Sequence, residues 1–230
     1  MNDHLQSLAS RIGHTFADDS LLESAMVHRS WIAENDGFKS NERLEFLGDA
    51  VLGWVVADIV YRGHSELAEG KLTDLRKGVV NATSLAEVAN NIGIGECLRL
   101  GRGEDIAGGR EKTSILSDAL ESLIGAVYLD AGAVVAYEVV RALMRESINN
   151  AIENLDRIDA KTRLQEMTAQ LFDVAPHYRL TENGPDHEKV FYATVVVNGR
   201  ELGDGEGRSK KAAEQIAAEI ACDILQRELG

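Results

Sequence analysis

Asn41-Glu42-Arg43-Leu44-Glu45-Phe46-Leu47-Gly48-Asp49-Ala50-Val51-Leu52 sets three carboxylates inside a segment whose other residues favour burial. Glu42, Glu45 and Asp49 stand at i, i+3 and i+7, so on a helix they share one face, a turn apart. Leu44, Leu47, Val51 and Leu52 supply apolar flanks for packing. Like charges one turn apart repel, and desolvation adds to the cost. A bound divalent cation would offset both. Hard oxygen ligands, with no cysteine or histidine pair nearby, point to Mg²⁺ or Mn²⁺ rather than zinc.

A second acidic pair has the same character. Residues 114–127, Ser114-Ile115-Leu116-Ser117-Asp118-Ala119-Leu120-Glu121-Ser122-Leu123-Ile124-Gly125-Ala126-Val127, read as a buried helix with Asp118 and Glu121 at i, i+3. Any one of these acids alone reads as a cap or a solvated residue. Five of them on two apolar helices read as an all-carboxylate metal site, because burial without compensation is costly. Apolar periodicity near 3.6 recurs around 20–33, 41–62, 72–92, 113–130 and 134–153, which predicts a mostly helical region. Glycines at 93, 95, 101, 103, 108 and 109 mark a non-helical connection within it.

The C-terminal third changes pattern. Lys161 to Phe172 has helical apolar spacing at Leu164, Met167 and Leu171. Three strand candidates follow, His177–Glu182, Glu188–Val197 and Arg200–Gly203. The last two are joined by Asn198-Gly199, the signal of a type I′ hairpin. Gly203 to Gly207 reads as a glycine-rich loop opening into a helix, with Ser209 as N-cap and Lys210 and Lys211 in the first turn. Cations there oppose the helix dipole. They fit an anion docked on the free backbone N–H groups, or else a solvated pair. The predicted order is helix, three antiparallel strands, helix, with 154–159 as a short junction.

Composition sets bounds. The 230-residue chain carries a formal net charge of −14 and a pI near 4.9, which by itself argues against nucleic acid. Residues 159–230 hold 9 Lys+Arg against 13 Asp+Glu, so the sum gives no rescue by region. Binding depends on local patches more than on totals, and bound cations would neutralise several acids. Any nucleic-acid affinity should be weak at high salt, since few phosphate contacts are available. No apolar run approaches the roughly 20 residues of a membrane span, and the start Met1-Asn2-Asp3-His4-Leu5-Gln6 lacks the pattern of a secretion signal. Cys97 and Cys222 read as buried apolar residues of a reducing compartment, so a cytoplasmic location without a membrane partner is expected.

Asn41 to Leu52 resembles the signature of ribonuclease III nearly letter for letter. Leu21 to Trp31, Glu69 to Arg76, and Gly108 to Gly125 resemble that family's other blocks in order. Gly184-Pro185-Asp186-His187, the strand order and Ser209-Lys210-Lys211 resemble the double-stranded-RNA-binding domain. The resemblance implies an all-α N-terminal endonuclease domain over 1–153 and an α-β-β-β-α RNA-binding domain over 159–229. It implies Glu45, Asp49, Asp118 and Glu121 as metal ligands, and Glu42, Asp49, Glu69 and Glu121 as the catalytic set. Glu42 and Glu69 would support the RNA-facing side, while Asn41 and Arg43 would orient the carboxylates. Gln165, Glu166 and His187 would reach minor grooves, and Ser209, Lys210 and Lys211 would grip phosphates between them, reading A-form shape.

It further implies a homodimer with Phe46 as interface plug, although the residues alone fit equally a Phe46 in its own domain's core. Both strands of a duplex would be cut, leaving 5′-phosphates and short 3′ overhangs, with Mg²⁺ or a substituting Mn²⁺ as cofactor. Ribosomal RNA precursors would be the usual substrate, and messages or other structured RNAs further ones. Val27, Trp31, Ser40, Thr113 and Ser122 depart from the family pattern, and none of these changes removes a carboxylate. His28, beside Arg29 at a helix end, reads as structural, with a general-acid role as its alternative. Two other classes are a non-catalytic RNA binder on a degenerate nuclease scaffold and a metal-dependent phosphohydrolase of small substrates. The first would be expected to lack some of the six acids, and the second would leave the C-terminal pattern idle.

Overall fold

The computed structural model describes residues 3–37, 39–185 and 189–229. The chain forms two compact units, Met1–Ala151 and Ile152–Gly230. The first is built from α1 (Asp3–Arg11), α2 (Asp19–Ala25), α3 (Arg29–Ile32), α4 (Glu42–Gly63), α5 (Glu69–Val79), α6 (Ala82–Asn91), α7 (Ile94–Cys97), α8 (Arg102–Ile106) and the greater part of α9 (Thr113–Phe172). The second holds the end of α9, three strands and a last helix.

Two stretches expected as continuous helices are broken, each for a local reason. Between α2 and α3 the chain leaves the helix to bridge Val27 with Arg99: His28 N–H donates to Arg99 O at 3.1 Å and Arg99 N–H to Met26 O at 2.8 Å. Between α5 and α6 the Asn81 side chain accepts from Ser84 N–H at 3.0 Å and so starts a new helix. The glycine-marked connection carries the short helices α7 and α8. There the Arg110 guanidinium donates to the carbonyls of Gly95 and Leu98 at 2.8 and 3.0 Å.

Helices α4 and α9 cross with their backbones almost touching. A Cβ on Gly48 would stand 1.7 Å from Glu121 O, and one on Gly125 would stand 2.3 Å from Leu44 O, so only glycine fits at either position. Around this crossing Leu52, Val55, Val56, Leu116, Leu120, Leu123 and Ile124 are fully buried. Asn41, itself buried, fixes the start of α4. Its N–H donates to Val27 O at 2.8 Å, its amide Nδ2 to Ala25 O at 3.3 Å, and its own carbonyl accepts from Ser122 Oγ at 3.2 Å. Gly132, at φ +80°, kinks α9. Just before it Asp130 accepts from His14 Nε2 at 2.8 Å and from the backbone of Asp18 at 2.9 Å. Residues 113–153 of α9 are long and apolar enough by composition to cross a membrane, contrary to the expectation of no such run. Their aliphatic side chains line this core instead, as in the central helix of a globular protein.

In the second unit β1 (His177–Asn183), β2 (Val190–Val197) and β3 (Arg200–Gly207) form an antiparallel sheet in sequence order. Asn198 and Gly199 both have positive φ, +49° and +78°, as a type I′ turn requires. Ala193, Val195, Val197 and Leu202 face Leu164 of α9 and Ala213, Ala217, Ala221 and Leu225 of α10 (Lys210–Leu229). The segment Gly203–Gly207, expected as a loop, is strand. Its alternate glycines let β3 lie against the α10 backbone, where a Cβ on Gly205 would meet Ala213 O at 2.1 Å. Cys97 and Cys222 are both free and buried.

Gly205→Ala should therefore destabilise the second unit by about 1–3 kcal/mol or more, since a backbone oxygen cannot move aside. Thermal unfolding followed by circular dichroism checks this, and an unchanged melting profile would contradict the packing described.

Candidate functional site

The glycine crossing places one acidic face of α4 against one acidic face of α9. Carboxylate oxygens of Glu45, Asp118 and Glu121 all lie within 4.8 Å of one another, each side chain half-buried. Asp49 is exposed and falls outside that closest group, though its charge acts on both Glu45 and Glu121. The electrostatic consequence is strong. Burial, then the charges of Asp49, Asp118 and Glu45, push the Glu121 carboxyl up to about 7. Burial and neighbouring acids also hold Glu45 above the usual carboxylate range, and burial does the same for Asp118.

A site of this kind is short of positive charge. Converging half-buried carboxylates with oxygen donors only are the donor set a hard divalent cation takes. The residues present therefore fit the expected ion.

Beside the cluster lies a cavity of about 470 Å³ lined by His28, Arg29, Asn41, Glu42, Glu45, Glu104, Lys112 and Asp118, among others. Glu42 is exposed there and accepts from Ser40 Oγ at 2.6 Å. Glu104 is ion-paired with Lys112. Burial lowers the pKa of His28, partly offset by Glu104.

Glu69 does not line this cavity. It opens α5, where its carboxylate accepts from Thr73 Oγ1 at 2.9 Å. Arg43 is exposed and pairs with none of the acids among the described residues, while Asn41 anchors the start of α4, the helix that carries Glu42, Glu45 and Asp49. Sequence reading passed over Glu104, Lys112 and Arg29. Only their meeting in space marks them, apart from the glycine-rich context of the first two.

In the second unit Gln165 and Glu166 are exposed on α9, and Lys210 and Lys211 on the first turn of α10. Ser209 Oγ accepts from Ala212 N–H at 3.1 Å and so caps that helix. His187 lies outside the described residues.

The charge arithmetic now has a local form. Lys161 is tied to Glu214 at 2.6 Å, Arg200 to Glu228 at 2.7 Å, and Arg179 to Glu201. Arg208, Lys210 and Lys211 have no carboxylate partner among the described residues, so a net acidic unit still presents a cationic patch at a helix N-terminus.

Phe46 is 81% exposed and does not belong to its own unit's core. Trp54 and Tyr61 extend the same exposed apolar stripe along α4.

Comparison with known proteins agrees with both units. The ribonuclease-III-like family profile matches residues 18–148, and the double-stranded RNA binding motif matches residues 160–225. The chain is similar to the Ribonuclease 3 of Thermobifida fusca, 54% identical over 94% of this chain and 89% of that one. The Ribonuclease 3 of Streptomyces coelicolor is 51% identical over 93% of this chain and 77% of that one. Among solved structures, the nuclease domain of ribonuclease III from Campylobacter jejuni is 39% identical with a TM-score of 0.59. It covers 62% of this chain and 97% of that one, and is described for structural flexibility in a region involved in dimer formation.

The raised Glu121 carboxyl gives a pH prediction for the protein in chelator. Its folded-state pKa, about 7, lies above its ordinary 4.5, so folding holds a proton that the unfolded chain releases between those values. Stability falls as pH rises through that window and is least above about 7. Glu121→Gln removes the penalty. Its melting temperature should exceed that of the unsubstituted protein at pH 8 and match it near pH 4.5; a constant difference at both would contradict the assignment.

Proposed function

The chain belongs to the ribonuclease III family, and from that membership we propose that its acidic cluster hydrolyses phosphodiesters in both strands of an RNA duplex with the aid of bound divalent ions. It is a double-stranded-RNA endoribonuclease of that family. The observation that carries the chemical reading is the convergence of Glu45, Asp118 and Glu121 within 4.8 Å. These three, with Asp49, would hold the ion, Mg²⁺ by preference and Mn²⁺ as substitute. A divalent ion so held supplies Lewis-acid polarisation of the phosphoryl group and neutralises developing charge. The chain's part is to keep the carboxylates converged before substrate arrives. Arg29 offers the cavity's positive charge to phosphates, Lys112 being paired with Glu104. Glu42 on the cavity wall and Glu69 at the start of α5 serve the RNA-facing side.

Domain limits of 1–153 and 159–229 suit this division of labour. Gln165, Glu166 and His187 take the minor grooves, while Ser209, Lys210 and Lys211 take the phosphates between, so that A-form shape rather than sequence is read. Two copies pair through the α4 stripe with Phe46 as plug, putting two sites on one duplex and leaving 5′-phosphates with short 3′ overhangs. Processing of ribosomal RNA precursors, with messages and other structured RNAs beside them, in the cytoplasm, is the role this activity fits.

Cleavage of a long paired RNA in low salt, with Mg²⁺ and with EDTA, tests the chemistry. Glu121→Gln should keep RNA binding and lose turnover by on the order of 100-fold or more, beyond what a lost outer partner of a metal costs. Cutting that survives EDTA would refute the metal reading. For the assembly, light scattering at micromolar concentration should find a dimer that Phe46→Asp converts to monomer; a monomeric unsubstituted protein would exclude the pairing.

A further inference from the structure

His28 stands at the start of α3 and forms part of the wall of the acidic cavity. Its Nδ1 faces two donors: Ser30 N–H at 3.3 Å and Ser30 Oγ at 2.8 Å. Because Ser30 N–H donates to Nδ1, that nitrogen is the acceptor, and the hydroxyl, which itself accepts from Gly101 N–H at 2.9 Å, donates to it as well. A ring nitrogen accepting such bonds carries no hydrogen, so the hydrogen of the neutral ring sits on Nε2. Among the described residues Nε2 has no hydrogen-bond partner. Three of the cavity's four carboxylates have partners of their own: Glu104 with Lys112, Glu42 with Ser40, and Asp118 with Ser117 at 3.3 Å.

The result is a cavity-lining histidine whose Nδ1 serves the α3 cap and whose Nε2–H has no partner among the described residues. We propose that His28 is a substrate-contacting residue of the cleavage reaction, its Nε2–H donating to a non-bridging oxygen of the phosphodiester drawn into the cavity. This rests on the reading of the acidic cluster given under Proposed function. A neutral donor suits the place. It attracts phosphate oxygens in a cavity lined by Glu42, Glu45, Glu104 and Asp118, yet adds no charge to compete with a cation for those carboxylates. The same ring also caps α3 through Nδ1, so its structural and chemical roles use opposite nitrogens.

That division makes the two roles separable by substitution. His28→Asn keeps an acceptor near Nδ1, and asparagine is a favoured N-cap, but it places nothing at Nε2. His28→Gln carries an amide N–H to the region of Nε2 and gives a poor cap. Cleavage of a long paired RNA in Mg²⁺ is measured for both, for His28→Ala and for the unsubstituted protein, with thermal unfolding alongside. We expect His28→Asn to fold normally and lose about 10- to 100-fold in kcat with little change in KM, the weight of one hydrogen bond to a charged group. His28→Gln should melt lower yet cleave faster than His28→Asn.

A purely structural histidine gives the reverse order, with His28→Asn at full kcat and His28→Gln no better than His28→Ala, and that result overturns the proposal. ¹⁵N NMR of the unsubstituted protein should find the Nε2–H tautomer; Nδ1–H would overturn the proposal even if every variant failed to fold. An unsubstituted protein that cuts no RNA removes the underlying reading and this one together, whereas active parent protein with unaffected variants removes this one alone.

Discussion

The contact of two helix backbones at Gly48 and Gly125 is the constraint from which the rest of the first unit follows. Packed helices ordinarily lie 8–10 Å apart because side chains separate them. Here the side chains are absent at the crossing, and the carbonyls of Glu121 and Leu44 occupy their space. Glu45 and Asp49 flank Gly48 within a turn, and Glu121 precedes Gly125 by one turn. Bringing the backbones together therefore brings the carboxylates together, and burial raises Glu45, Asp118 and Glu121, with neighbouring acids adding to the rise of Glu45 and Glu121. The surrounding apolar core supplies the burial free energy that holds repelling groups in place. A divalent cation bound there would offset the remaining repulsion.

Further contacts keep the crossing in register. The bridge between Val27 and Arg99 ties the α2–α3 turn to the glycine-rich connection, and Asn41 and Ser122 tie both to the crossing helices. His28 sits at that junction, which explains how one residue can both cap a helix and face the cavity. The second unit uses the same device in another form. Glycines at 203, 205 and 207 bring a strand against α10 as Gly48 and Gly125 bring a helix against a helix. Lys161, Arg179, Lys189 and Arg200 are tied into ion pairs, while Arg208, Lys210 and Lys211 have no carboxylate partner among the described residues. A total charge of −14 thus conceals a cationic helix end.

Where sequence spoke clearly, the signal was local. Alternation and Asn198-Gly199 define the hairpin, Ser209 caps its helix, and the i, i+3 acids fall on the faces their spacing requires. What it left hidden was non-local. The helical periodicity of 20–33 and 72–92 persists across breaks because apolar residues on either side face the same core. The interruption comes from a bridge to Arg99 and from a cap at Asn81. Gly203–Gly207 resembled a loop because the reason for its glycines is a helix that passes beside them. Glu104 and Lys112 carry no pattern of their own and acquire meaning only as a pair on the cavity wall. Glu69 stands apart from the cavity, at the start of α5.

The most direct test of this account is the Mn²⁺ affinity of Gly48→Ala, measured by calorimetric titration beside the unsubstituted protein, with circular dichroism to confirm helix content. A methyl group at that position forces the crossing helices apart. The account predicts a protein that still forms helices but binds Mn²⁺ at least tenfold more weakly, because the carboxylates no longer converge. Undiminished Mn²⁺ binding in a folded Gly48→Ala would show that the glycine contact does not build the site.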